Sequence, residues 1–217
     1  IAVAYEGLER FFPKEKLNLT GNPIRKSITK GKLSPTEAKA FFKQIPGIPT
    51  LVVLGGSLGA KRINKLIATH LDTFIKQGLQ LIWQCGSLYY EQCKKHQSER
   101  VKIISFVAEI DKLYAAADMV ISRSGAATLS ELCCTARPVL LVPSPNVAEN
   151  HQYQNAMALA KKGAALVITE KDLDLNFPNC FKLLLDHKKR NEMSKNIKAL
   201  AQPNATAKIV DLIEALL

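Results

Sequence analysis

The sequence predicts an α/β protein on a doubly wound parallel sheet, and three observations carry that prediction. Apolar runs recur at regular intervals: TLVVLG (50–55), LQLIWQC (79–85), VKIISF (101–106), DMVIS (118–122), PVLLVP (138–143) and AALVIT (164–169). Most are continuously apolar rather than alternating, as strands covered on both faces must be. Amphipathic stretches separate them, near 59–77, 87–96, 109–117, 127–135, 150–162 and 177–201, and alternation of strand with helix produces parallel pairing through crossover connections. Finally, three of the runs end in glycine- or proline-rich turns that lead into helical patterns.

Outside that block, residues 1–24 hold a strand pattern and a short helix before TGNPIR turns the chain, and GIPT (47–50) follows a further helix. Beyond Pro203, Ile209, Leu212, Ile213 and Leu216 form one helical stripe. The opening IAVAYEGLERFF lacks a Met and already reads as a strand, so the sequence reads as the interior of a longer chain. The expected organisation is a crossing segment with the end of a preceding domain (1–24), one main domain (25–202), and a terminal helix (203–217) packing back toward the preceding domain.

The 217 residues are 47% hydrophobic and 23% charged, enough for a sizeable core. Thirty Lys and Arg against 19 Asp and Glu give +11, which favours anionic partners without choosing among nucleic acid, phosphorylated ligands and an acidic membrane surface. Five cysteines show no metal-ligand spacing, and free thiols suit a reducing cytoplasm. No run approaches the ~20 apolar residues of a membrane span.

Three constellations could carry chemistry. In Gly55-Gly56-Ser57-Leu58-Gly59-Ala60, glycines let the backbone turn tightly into a helix and approach a ligand, and N–H groups at a helix start face an anion. The pattern is neither a dinucleotide fingerprint nor a P-loop, and a plain structural corner explains it equally well. In DMVISRSGAATLSELC (118–133), Ser124-Gly125 turns into a second helix start, with Glu131 about a turn inside. A carboxylate there can accept hydrogen bonds from ribose hydroxyls, or simply favour the positive end of the helix. In VPSPNVAENHQYQNA (142–156), Asn150, His151, Gln152 and Asn155 offer partners for sugar hydroxyls, or cap a helix. All three follow predicted strands, so they fall together at the carboxyl edge of one sheet, where open α/β folds bind ligands.

Other features read as structural. DLD (172–174) resembles a metal-binding pair but precedes a helix and reads as capping; His70, His96 and His187 read as surface residues. Tyr89-Tyr90 is a thin basis for base stacking, and no grouping proposes a nucleophile.

GGSLGAKRIN, RSGAATLSEL and VPSPNVAENHQYQNAMALAKKGAALVI, in that order and with TGNPIR before them, resemble the C-terminal half of the MurG family of bacterial N-acetylglucosaminyltransferases. The resemblance implies the Rossmann-like donor domain of a GT-B enzyme of glycosyltransferase family 28. It implies an inverting transfer of N-acetylglucosamine from UDP-N-acetylglucosamine to lipid I, the undecaprenyl-diphosphate-linked muramyl pentapeptide, giving lipid II for peptidoglycan. It implies no cofactor and no metal, with UDP-N-acetylglucosamine bound as substrate. Lipid I, the anionic membrane surface and the catalytic base are all expected in the preceding half, so this part alone is expected to be inactive. The setting implied is the cytoplasmic face of the bacterial plasma membrane, without a nucleic-acid partner.

Residue by residue, the resemblance places Arg25 beside the nucleotide, Ser57 at the diphosphate, and the Val107 backbone at uracil. Helix-start N–H groups of Ala126, Ala127, Thr128, Leu129 and Ser130 meet the phosphates, Glu131 the ribose, and Gln152 the sugar hydroxyls. Gly55, Gly56, Gly59, Ser124, Gly125 and His151 support the loops. Leu58 stands where the family often has Gln. Two rivals share the fold and the donor: a UDP-N-acetylglucosamine 2-epimerase, and the donor subunit of a two-chain dolichol-linked transferase. A basic nucleic-acid-binding module rests on the +11 alone.

Overall fold

The computed structural model describes residues 1–5, 7–9, 11–31 and 33–216. Two short strands, β1 (Ala2–Val3) and β2 (Asn18–Leu19), pair in parallel as a sheet of their own, with a single 3-10 turn at Lys14–Lys16 between them. Two small helices follow, α1 (Lys26–Lys30) and α2 (Pro35–Phe41).

The main sheet is built from β3 (Thr50–Leu54), β4 (Gln80–Gln84), β5 (Val101–Ile104), β6 (Met119–Ser122), β7 (Val139–Leu141) and β8 (Leu166–Val167). All six expected strands form. They lie in the order β5-β4-β3-β6-β7-β8, every neighbouring pair parallel. The chain therefore winds outward from β3 in one direction, returns, and winds outward from β6 in the other. The reversal falls between β3 and β6, the place where such sheets open a crevice at their carboxyl ends.

Alternate residues of the strands feed two cores. Leu51, Val53, Leu81 and Trp83 pack on one face with α3 (Lys61–Lys76) and α8 (Leu173–Leu185). Val52, Leu54, Ile82 and Val120 pack on the other with α2, α5 (Ile110–Ala116), α6 (Ala126–Thr135) and α7 (His151–Ala160). All five side chains of β3 and of β4 are buried, which is why their sequences are apolar between the polar ends Thr50, Gln80 and Gln84.

The amino edge is fastened by polar groups. Lys39 Nζ lies 2.8 Å from Asp118 Oδ2, which also accepts the Thr50 N–H at 2.7 Å. Gln80 bonds the backbone of Ile45 and Ile48, so the segment entering β3 is tied to β4.

Several expectations change. The helical pattern at 177–201 is two helices, α8 and α9 (His187–Ala199). Asp186 leaves helical geometry (φ −66°, ψ 118°) and its carboxylate accepts the Lys189 N–H at 2.8 Å, a cap that starts a new helix. The 87–96 stretch forms only one four-residue turn of α-helix, α4 (Tyr90–Cys93), between two 3-10 turns. His70 is half-buried with its ring 4.8 Å from that of Phe177, and His96 is half-buried beside Trp83, so neither is a free surface group. In DLD, Asp172 accepts from the Thr169 hydroxyl at 2.5 Å and Asp174 pairs with Arg62 at 3.2 Å; neither caps α8 with its side chain. Among the described residues no cluster of His, Cys, Asp and Glu could hold a metal ion, and no helix is long and apolar enough to cross a membrane. In α10 (Ala205–Glu214), Ala205 is buried while Ile213 is 54% exposed, so the apolar stripe is only partly covered.

The glycine loop after β3 is held against β4 by backbone crowding. A Cβ at Gly59 (φ +92°) would lie 2.2 Å from the Cys85 carbonyl oxygen, whereas one at Gly56 (φ +84°) would meet nothing within 4 Å. Gly56→Ala is expected to cost only the left-handed backbone term, about 1 kcal/mol. Gly59→Ala adds a clash with backbone that cannot move aside, and is expected to cost about 3 kcal/mol or more. Urea unfolding of the two variants measures the difference; equal losses would refute it.

Candidate functional site

The site is assembled from the carboxyl ends of β3, β5 and β6. Leu54, Gly56, Ser57, Gln84, Phe106, Val107, Tyr114, Arg123, Thr128 and Glu131 line a cleft of about 160 Å3 over the reversal point. One wall is the glycine loop that leads to α3, the other the first turns of α6. The N-cap of α3 is Ala60 and that of α6 is Gly125, and neither makes a side-chain capping bond. By contrast, Ser34 caps α2 with a full capping box and Asp186 caps α9. Side-chain caps are also missing from α1, α5, α7, α8 and α10, so what distinguishes α6 is that its uncapped first turn, with backbone donors and the positive end of the helix dipole, opens on the cleft.

Gln84 locks the glycine loop in place. Its Oε1 accepts the N–H groups of Gly55 and Gly56 at 3.0 and 3.1 Å, and its Nε2 donates to the carbonyls of Gly56 at 2.8 Å and Ser105 at 2.9 Å. One carboxamide at the end of β4 therefore joins the loops after β3 and β5. Behind it, Trp83 Nε1 donates to Asn64 Oδ1 and Asn64 Nδ2 to the Cys85 carbonyl, at 2.9 and 2.8 Å. Ser57 is exposed at the tip, its carbonyl accepting the Ser87 N–H at 3.2 Å.

At the other end of the cleft, Arg25 Nη1 donates to the Ala108 carbonyl at 2.9 Å, placing its charge beside the Val107 loop. Glu131 faces the cleft half-buried and accepts the Tyr114 hydroxyl at 3.0 Å. Burial pushes the Glu131 carboxyl above its ordinary range, while the Tyr114 hydrogen bond and the Arg25 charge pull the other way. Tyr114, fully buried, is pushed well up by burial and by the carboxylate it serves.

The third loop lies alongside. Gln152 Oε1 accepts the Ser144 N–H at 3.0 Å and the Ser124 N–H at 3.4 Å, and its backbone carbonyl accepts the Ser124 hydroxyl at 2.8 Å. Asn155 Nδ2 donates to the Ser124 carbonyl at 3.3 Å. Buried Ser124 thus ties the β6–α6 turn to α7. His151 is exposed, its Nδ1 2.9 Å from the Ala148 carbonyl.

Most of the expected residues converge, with corrections. Arg25, Gly56, Ser57, Val107, Thr128 and Glu131 surround one cleft, and exposed Ala126 and Ala127 begin the helix at its mouth. Leu129 does not face a ligand: its N–H is spent on the Gly125 carbonyl at 3.0 Å and its side chain is fully buried. The Ser130 hydroxyl donates to the Ala126 carbonyl at 3.0 Å on the side of α6 nearest Tyr5. Both sit too deep in the helix to offer free N–H groups, so those donors narrow to Ala126, Ala127 and Thr128. Gln152 has its carbonyl oxygen committed to two backbone N–H groups, leaving its amide nitrogen for a sugar. Gln84, Tyr114 and Arg123 were not singled out from the sequence. A polar Gln closing the apolar run LQLIWQ was the available signal for the first; nothing local marks the other two.

The family model for the glycosyltransferase family 28 C-terminal domain matches residues 50–213, from the first strand of the main sheet to α10. The chain belongs to that family. The UDP-N-acetylglucosamine–N-acetylmuramyl-(pentapeptide) pyrophosphoryl-undecaprenol N-acetylglucosamine transferase of Flavobacterium psychrophilum is 51% identical over 98% of this chain. The transferase of the same description from Christiangramia forsetii is 48% identical over the whole of it. The chain spans 59% of the length of the former and 60% of the latter. Among solved structures, MurG of Acinetobacter baumannii superposes with a TM-score of 0.70 at 27% identity, covering 90% of this chain and 56% of that one. A co-structure of S. aureus MnaA with UDP gives 0.67 at 13% identity, covering 95% of this chain and 56% of that one, a likeness of fold alone.

Two measurements test the geometry of this family 28 site. Gln84→Leu leaves the Gly56 N–H without its acceptor, while Gly55 keeps the Gln84 backbone carbonyl at 3.0 Å, and is expected to cost about 1–3 kcal/mol in urea unfolding; a loss under about 0.5 kcal/mol would show that the clamp is dispensable. Ribose hydroxyls would donate to ionised Glu131, so uridine affinity should fall as pH drops through its raised pKa, starting at higher pH than for an ordinary carboxylate. The stability term runs oppositely: the folded state holds this proton more tightly, so Glu131 costs stability as pH rises through the same window. Calorimetry with uridine should show the fall in the parent and no fall in Glu131→Gln; parallel profiles would contradict the placement.

Proposed function

We propose that this chain is the donor-binding part of a transferase that moves N-acetylglucosamine from UDP-N-acetylglucosamine to lipid I, giving lipid II. The observation that carries the reading is the glycine loop after β3 and the uncapped first turn of α6 lining one cleft at the sheet reversal in a family 28 chain. The uracil lies on the Val107 backbone beside Arg25, the ribose on Glu131, the diphosphate between Ser57 and the first turn of α6, and the sugar toward Gln152. UDP leaves carrying added negative charge. Fixed N–H donors from the two helix starts meet that charge where it develops, without reorganising, which is stabilisation of the oxyanion-hole type. The chain's residues bind and orient the donor and hold the leaving group; the base that activates the acceptor hydroxyl belongs to the remaining length of the protein.

In the same reading the partly exposed stripe of α10 packs on that remaining part, and the whole protein works peripherally at the cytoplasmic face of the plasma membrane. Neither the epimerase, the dolichol-linked subunit nor the nucleic-acid module gains support from a specific contact in the cleft.

Ser57→Ala separates phosphate binding from turn formation, since it removes a hydroxyl and leaves the backbone choices nearly unchanged. A hydrogen bond to a charged oxygen is worth about 1.5–3 kcal/mol, so UDP affinity should fall about tenfold or more while uridine affinity barely moves. A loss for both ligands alike, or for neither, would move the phosphate site to Ala126–Thr128. This chain should bind UDP and transfer no sugar to a lipid I analogue; measurable transfer would overturn the division of labour.

A further inference from the structure

Along the carboxyl edge, the loops follow the order of the strands. Val107 comes after β5, Ser57 after β3, Ser124 after β6, and Ser144 with Gln152 after β7. A donor laid base-first at Val107 ends with its sugar at the β6 and β7 loops. The next position along the edge is the end of β8, and there a cavity of about 690 Å3 opens. Two of its lining residues are bonded to residues of the donor site. Ser144, whose N–H holds Gln152 Oε1, lines it. Glu170, which lines it as well, is ion-paired with Arg123 of the donor cleft. Whatever meets the donor sugar from outside the cleft meets this cavity too.

Its chemistry is specific. The half-buried ring of Tyr153 and the rings of Pro143 and Pro145 give it an apolar lining. Its acidic group is already answered, Glu170 by Arg123, and its Arg62 is paired with Asp174 at 3.2 Å. Lys171 makes no ion pair among the described residues. The cavity is therefore amphipathic, with one uncompensated cation.

We propose that this cavity receives the peptide branch of the acceptor, with Lys171 pairing with a peptide carboxylate and Tyr153 packing against the peptide's apolar side chains. The inference rests on the transferase reading above. In that reading the acceptor sugar itself carries the pentapeptide, so the branch lies within reach of the bond being formed. The acceptor's lipid diphosphate is the other anion near the reaction, and it stays on the acceptor whether or not the peptide is present.

The test uses the whole-length protein with two acceptor analogues, one bearing the pentapeptide and one lacking it. Lys171→Met should raise KM for the peptide-bearing acceptor about fivefold, and Tyr153→Ala about tenfold. Neither variant should move KM for the peptide-free acceptor or for UDP-N-acetylglucosamine. Tyr153→Phe keeps the ring and should behave as the parent, which separates lost packing from misfolding. An equal rise for both acceptors would place the diphosphate or the sugar in the cavity and overturn the proposal, as would no change for either. Failure of the transferase reading looks different: the parent protein would transfer N-acetylglucosamine to neither analogue.

Discussion

The rest of the site depends on two helix N-termini left uncapped beside each other. A helix start has backbone donors with no intrahelical partner, and most helices answer some of them with a Ser, Asp or Asn side chain. Here α2 and α9 do so, through Ser34 and Asp186. The helices that leave β3 and β6 begin instead at Ala60 and Gly125, whose side chains cannot answer anything. Because β3 and β6 are neighbours at the point where the winding reverses, the glycine loop leading to α3 and the first turns of α6 line one cleft. The fold's positive charge for a ligand is thus made largely of backbone.

Such a site works only if the backbone is held still. Gln84 supplies that rigidity from the neighbouring strand, bonding both partners of the glycine loop and the exit from β5 with one carboxamide. The close approach of Gly59 to the Cys85 carbonyl completes the lock, and Asn64 fixes that carbonyl from behind. Ser124 does the same work for the second loop, bonded through its hydroxyl, its N–H and its carbonyl to α7. Electrostatics at the cleft follow from this placement: Glu131 is half-buried because it sits against Tyr114 under the loop, and burial raises its carboxyl.

The net +11 contributes a diffuse preference for anions, while the specific attraction comes from where few of those charges stand. Arg25 reaches the Val107 loop at one end of the cleft, Arg123 is bound up with Glu170, and Arg62 with Asp174. Most other lysines lie on the outer faces of helices. Composition alone favours nucleic acid as readily as a nucleotide sugar.

By itself, the sequence determined the sheet and the three loops that build the site. Short continuous apolar runs alternating with amphipathic stretches read as strands buried on both faces, and glycine turns after β3 and β6 leave backbone open to a ligand. It also carried Ser57, Thr128 and Glu131 to one edge, because parallel strands put every following loop at the same end, while Val107 came from the family resemblance. The break of 177–201 into two helices was hidden, since the capping power of Asp186 shows only when the chain bends there. Leu129 and Ser130 were misplaced because helical position, not residue type, decides which N–H groups stay free. Only the tertiary structure revealed Gln84, Tyr114 and the Arg123–Glu170 pair, whose partners lie on other strands and helices. Local pattern records what a residue can offer; which offers are already taken by distant backbone is settled by packing.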